Sequence, residues 1–252
     1  MNLFRWAYLI IIFFTAQHLF ARDNVLWRNL KPSKNIDMRI LDDFEDRIQW
    51  ELTNSLGIQS KLRFVRNTPL DRNLRNYGND ELEKMFKKEM ELLADSAKIH
   101  ERTISTAQNS SQELIAYFSN PGIDYQVIEI PEKDRHFVTG RPIAISMWVY
   151  GMNKKHAIYA LFSNQIHEKI PVKIGDLSFN GWKRLEVPVP ISVSHRNRLN
   201  RKVLEFRFDG LKIVSHPNEK AGTFSFLYDL VCVLVDTTGA DYSGSNINDN
   251  WK

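Results

Sequence analysis

The sequence predicts an all-β fold, an antiparallel jelly-roll or β-sandwich carrying one inserted amphipathic helix. Three observations predict it. Segments of alternating apolar and polar residues, separated by Gly, Pro and Asn, recur from residue 36 to 236 and number about ten to twelve. Only one stretch, about 79–101, has apolar residues at steps of three and four. The chain has 252 residues with 43% hydrophobic and 25% charged. That is enough for one large sandwich core without covalent staples.

The first residues, MNLFRWAYLIIIFFTAQHLFA, come before the sandwich. Arg5 supplies a positive n-region, and Trp6 to Ala16 is an apolar run of about 11 residues. A bilayer span needs about 20. The segment therefore reads as a secretory signal over residues 1–21, with Ala21 before the cleavage point. Loss of Arg5 from 34 basic residues against 30 acidic ones leaves a mature chain of about +3. Cys232 is the one cysteine, so an exported chain makes no internal disulfide. Export without disulfides suits a periplasm.

The sandwich opens with IDMRILDDFEDRIQWELTNSLGIQSKLRFVRN, read as short antiparallel strands with polar turns. In the helix, Leu82, Met85, Phe86, Met90, Leu93 and Ala97 form the apolar stripe. Asp80, Glu81 and Glu83 suit the positive end of the helix dipole, and Glu83 can pair with Lys87. The helix can pack on its own sheet or project to a partner.

The strands resume with ELIAYF and YQVIEI. In RPIAISMWVYG, Ile143, Ile145, Met147 and Val149 share one face, and Ala144, Ser146, Trp148 and Tyr150 the other. A strand apolar on both faces is either central between packed layers or half-buried against another molecule. AIYALFSN returns as its hairpin partner. GDLSFNGWKRLEVPVPI follows, with a Gly181-Trp182 corner and with Leu185, Val187 and Val189 on one face. Pro188 and Pro190 cannot donate ladder bonds, which puts this strand at an edge or marks its end. A basic loop, SHRNRLNRK, precedes two closing strands, and residues 237–252 form a polar tail. Pairing of the last strand with the first would bring LYDL beside DDFED.

Chemistry is hard to find in this pattern. The seven histidines show no metal-ligand spacing, and no nucleophile elbow, phosphate loop or dinucleotide motif is present. Cys232 sits in an apolar strand, where a thiol stays protonated. Asp42, Asp43, Glu45 and Asp46, with Asp229 near them, read either as a calcium-holding rim cluster or as a solvated turn. The mild charge and the lack of any nucleic-acid module argue against a nucleic-acid partner. No cofactor is expected. Arg196, Arg198 and Arg201 read either as a solvated loop or as a dock for an acidic protein surface.

Three segments resemble a known family. They are Trp148, Val149, Tyr150, Gly151, Asn153 and His156; then Gly175, Leu177, Phe179, Gly181 and Trp182; then Tyr228, Asp229 and Asp236. Together they resemble the FlaA family of spirochaetes, the outer-layer or sheath proteins of periplasmic flagella. LDDFED with Trp50, and TPLDRNL, resemble the family's N-terminal part, so the resemblance spans roughly residues 38–238. It implies a galactose-binding-like jelly roll with a structural, non-enzymatic role. The mature protein would lie in the periplasm, not embedded in the membrane. It would coat a core of FlaB-type flagellins beside other sheath proteins and neighbouring sheath subunits. It would thereby influence filament stiffness or curvature, and motility. Candidate assembly-interface residues are Trp148, Tyr150, Trp182, Arg196, Arg198 and Arg201. In that role Gly181 would permit close backbone approach and Trp182 would be a buried anchor. The alternative is a secreted carbohydrate-binding jelly roll, which would expose two or three aromatics in a line on a concave face.

Overall fold

The computed structural model describes residues 33–45, 50–54, 60–66, 80–99, 110–163, 168–196 and 204–238. They form two antiparallel sheets and one helix, and all belong to one compact unit, Lys31–Lys252. The strands are β1 (Ile36–Asp42), β2 (Glu51–Asn54), β3 (Lys61–Arg66), β4 (Ser110–Phe118), β5 (Tyr125–Glu129), β6 (Phe137–Thr139), β7 (Arg141–Met152), β8 (Ala157–Ser163), β9 (Lys169–Asp176), β10 (Asn180–Pro188), β11 (His195–Arg196), β12 (Leu204–Val214) and β13 (Gly222–Asp236). The helix α1 spans Asp80–Ile99.

The first sheet runs β10-β7-β13-β4-β3, with β1 also paired to β13. The strand β13 is long enough for two partners on one side. Its first half pairs with β4 and its second half with β1, from Ile36 opposite Asp236 to Asp42 opposite Val231. First and last strands thus meet, and Asp42 comes to the same region as Asp229. The second sheet runs β2-β5-β12-β8-β9, with β6 and β11 also on β12.

Period-two patterning explains the core between the sheets. Ile145, Met147 and Val149 from β7, Ile158, Ala160 and Phe162 from β8, Leu211 and Ile213 from β12, and Phe224, Phe226 and Tyr228 from β13 are all buried there. Leu185 and Val187 of β10, and Val189 just beyond it, face the same core, and Pro188 ends this edge strand.

The opposite face of β7 is buried as well. Ala144, Ser146 and Trp148 have 0% exposure because α1 lies over them. Phe86 meets the Trp148 ring edge-on at 5.9 Å. Leu93 and Ala97 continue the buried stripe of the helix. The molecule is thus layered helix, sheet, sheet at this point, and β7 is apolar on both faces because it is an inner strand of the middle layer, between β10 and β13. Glu83 pairs with Lys87 at 2.8 Å on the outer surface of α1. Among the described residues no helix is long and apolar enough to cross a membrane.

Candidate functional site

The three aromatics expected at an assembly surface share one face of the first sheet. Tyr150 pairs with Trp182 across β7 and β10, and their rings meet edge-on at 5.7 Å. Trp148 lies two residues back on the same face, but α1 seals it. Its indole Nε1 donates to Glu89 Oε2 at 2.7 Å. Glu89 also takes Arg184 Nε at 3.0 Å, and Arg184 holds Glu186 at 2.6 Å. Burial alone would lower the Arg184 pKa, but the carboxylates of Glu89 and Glu186 outweigh it and hold the guanidinium above its ordinary value. Trp148 is therefore a hinge of internal packing rather than exposed contact surface. Trp182 is 6% exposed and Tyr150 half-buried.

Arg196 is exposed on β11, in the other sheet, opposite Leu204. The structure does not bring it to the aromatic trio. Arg198 and Arg201 lie outside the described residues.

The two central motifs of the sequence interlock. Gly181 pairs with Gly151 across β10 and β7. The close approach expected at Gly181 belongs instead to Gly151, where an added Cβ would lie 2.6 Å from the Phe179 carbonyl and 2.8 Å from its ring. Gly181 has open space around it and is needed for its φ of +89°. Asn153, with φ of +53°, turns the chain. The N–H groups of Asn153 and Lys154 donate to the carbonyls of Phe179 and Leu177, at 2.7 and 3.1 Å, and Leu177 N–H donates to His156 at 2.8 Å. The spaced Gly, Leu and Phe of one motif are thus the backbone partners of the turn in the other.

His156 is 3% exposed and packs edge-on against Phe118 and Phe224, at 5.0 and 4.6 Å. Its Nδ1 accepts the His216 N–H at 3.2 Å. Burial pushes its pKa down to about 4, so the imidazole is neutral.

Of the acidic cluster, Asp42 is turned inward, Asp43 and Glu45 are half-buried, and Asp46 lies outside the described residues. Asp42 is buried, its Oδ1 accepts the Phe44 N–H at 2.7 Å, and its Oδ2 accepts Trp50 Nε1 at 2.6 Å. Phe44, Trp50 and Tyr228 close over it as an aromatic cluster with centroids 5.3 to 5.9 Å apart. Asp229 is fully buried; burial first, and then the nearby Glu45 and Asp43, push its carboxyl well above the carboxylate range despite hydrogen bonds from Leu230 N–H and Ser111. Among the described residues no group of three or more His, Cys, Asp or Glu could hold a metal ion. Burial likewise pushes the Cys232 thiol well up, which keeps it inert.

Comparison with known families bears on the stretch these motifs build. The family FlaA, described as flagellar filament outer layer protein, matches residues 139–243. This segment is similar to that family. The match contains all three motif groups and most of both sheets' central strands. A search of curated proteins gives no match. Among solved structures, similar chains include a family 11 carbohydrate-binding module from Clostridium thermocellum in complex with a β-1,3-1,4-mixed-linked tetrasaccharide, at 13% identity and TM-score 0.39, covering 78% of this chain and 94% of that one. The C-terminal family 22 module of Clostridium thermocellum Xyn10B is similar at 11% identity and TM-score 0.34, covering 82% of this chain and 98% of that one. Likeness at this level carries no ligand to this chain.

Proposed function

We propose that this chain is an exported structural subunit of the periplasmic flagellar filament sheath. It coats a core of FlaB-type flagellins, beside other sheath proteins and neighbouring copies of itself, and influences filament stiffness, curvature and so motility. It works without catalysis. The observation that carries this reading is the FlaA match over residues 139–243, whose motif residues Gly151, Asn153, Leu177, Phe179 and Gly181 interlock in one turn. The reading includes removal of residues 1–21 on export to the periplasm, a single sandwich over 36–236 and a C-terminal tail over 237–252.

The carbohydrate-binding alternative would call for aromatics exposed in a line. On the outer face of the second sheet, Tyr125 and Tyr159 are half-buried, and Lys212 Nζ lies over the Tyr125 ring at 4.2 Å. The test is deletion of the chain followed by cryo-electron microscopy of purified flagella. Thinner filaments with altered curvature are expected. Filaments of unchanged diameter and curvature would overturn the proposal.

A further inference from the structure

The outer face of the second sheet carries two depressions. The first, of about 440 Å³, has the buried Val127 and Leu161 as an apolar floor, with Tyr125, Glu129, Lys169 and Lys212 around it. The second, of about 510 Å³, is bounded by Tyr159, Lys173, Asp176, Ser178 and Ser215. The strand registers set them side by side. Tyr125 lies opposite Val214, and Tyr159 opposite Lys212, so the two rings stand on β5 and β8, on either side of β12. Two strand spacings separate them by about 10 Å across the sheet. Gly210, between Glu129 and Leu161 in the ladders, puts no side chain into the first depression. Volumes of this size are those of ordinary ligand sites, and strands hold such linings more rigidly than loops do.

Donors and acceptors stand side by side around the apolar floor. Lys169 pairs with Glu129, which Arg135 also holds at 3.5 Å. Lys173 pairs with Asp176 at 2.8 Å. Lys212 Nζ lies over the Tyr125 ring, 4.2 Å from its centroid. A paired ammonium keeps donors to spare, and a paired carboxylate keeps acceptor lone pairs. A ligand of phosphates alone would meet Glu129 and Asp176 as repelling charges. A hydrocarbon ligand would strip water from these ion pairs and return no hydrogen bonds. A peptide cannot add here as a strand, because β5, β12 and β8 each have ladder partners on both sides. Hydroxyl groups donate and accept at once. Carried on a ring with an apolar face, they suit both the ion pairs and the tyrosine rings.

We infer that this face binds an oligosaccharide, with sugar rings against Tyr125 and Tyr159 and hydroxyls on the Lys169–Glu129 and Lys173–Asp176 pairs. Half-burial holds each tyrosine ring in place and leaves part of it open for the contact. This is a function beside the sheath role and does not depend on it. Free polysaccharide and glycan carried on a protein offer the same chemistry.

The test exposes the full mature chain to an array of neutral oligosaccharides, uronic-acid oligosaccharides, phosphate polymers and peptides. Titration calorimetry follows with the oligosaccharide bound most strongly. Tyr125→Leu with Tyr159→Leu should weaken that binding at least about 10-fold. Tyr125→Phe with Tyr159→Phe keeps both rings and should stay within about 3-fold of the wild type. Tyr117→Leu removes an aromatic that is 43% exposed on the first sheet, and should bind as the wild type does. Thermal melting shows that each variant is folded. Should the leucine pair fail to fold, Lys173→Ala with Asp176→Ala, whose side chains are 49% and 53% exposed, replaces it and should weaken binding at least about 5-fold. Binding to no oligosaccharide overturns the inference. So does preferred binding to a phosphate polymer or a peptide, or undiminished binding by the folded leucine pair. Competition by glycopeptides released from the source cells assigns the ligand to protein-borne glycan, and competition by their protein-free polysaccharide assigns it to free polysaccharide. Competition by neither overturns the inference. Filaments play no part in this assay, so its outcome and that of the sheath reading are separate.

Discussion

Replacing Glu89 with leucine tests how α1 is held on the first sheet. Glu89 is 3% exposed. Leucine is as good a helix former as glutamate, so the helix itself loses little. What disappears is an acceptor. Trp148 Nε1, bonded at 2.7 Å in a residue with 0% exposure, would be left without that partner, at a cost of about 1–3 kcal/mol. Arg184, only 5% exposed in its side chain, would lose one of its two carboxylates. Breaking a buried pair costs about 3–5 kcal/mol, reduced here because Glu186 still holds the guanidinium. The sum points to a loss of about 3–5 kcal/mol, a large share of a typical domain stability of about 5–15 kcal/mol. Urea unfolding followed by circular dichroism and tryptophan fluorescence reads it. The exposed neighbour Glu91→Leu should change stability by less than about 0.5 kcal/mol. A Glu89→Leu loss below about 1 kcal/mol would refute the buried-clamp reasoning.

Three further outcomes are expected. His156 has a folded pKa of about 4 against an ordinary 6.5, so the unfolded chain binds the extra proton first. Its contribution is full above about pH 6.5 and is lost as pH falls toward 4, by up to about 3 kcal/mol, and denaturant midpoints of the wild type and His156→Leu between pH 7 and 4 measure it. Gly151→Ala places a Cβ 2.6 Å from a Phe179 carbonyl that is itself fixed by Asn153, so a loss of about 1–3 kcal/mol in thermal or urea unfolding is expected. Trp50→Phe keeps the ring in its cluster but removes the 2.6 Å bond to Asp42, and about 1–3 kcal/mol should be lost in the same assay.

Much of the fold was legible because burial follows period. The two-sided apolar pattern of β7 requires layers on both faces, and it has them. Pro188 and Pro190 marked an edge because proline cannot donate. What stayed hidden were polar residues spent inside. Glu89 reads as one more charge on a Glu- and Lys-rich helix, yet it sits three residues after Phe86 and four before Leu93, on the apolar stripe itself. That spacing was the available signal. Asp42 looked like part of an acidic rim because sequence does not show that Trp50, eight residues on, folds back to donate to it. The bulge between Asp229 and Cys232, with Leu230 at φ +45°, has no signature in an apolar strand. Trp148 read as contact surface because nothing local reveals that a helix some 60 residues earlier covers it.

The central claim is the proposal that this sandwich is a coat subunit of the flagellar filament. Co-sedimentation tests it most directly. Periplasmic flagella are purified from the source cells, and the chain is quantified against flagellin in the pellet before and after a mild acid or detergent strip. The account predicts a fixed stoichiometric ratio in the pellet that the strip releases. Recovery of the chain only in the soluble fraction would contradict it.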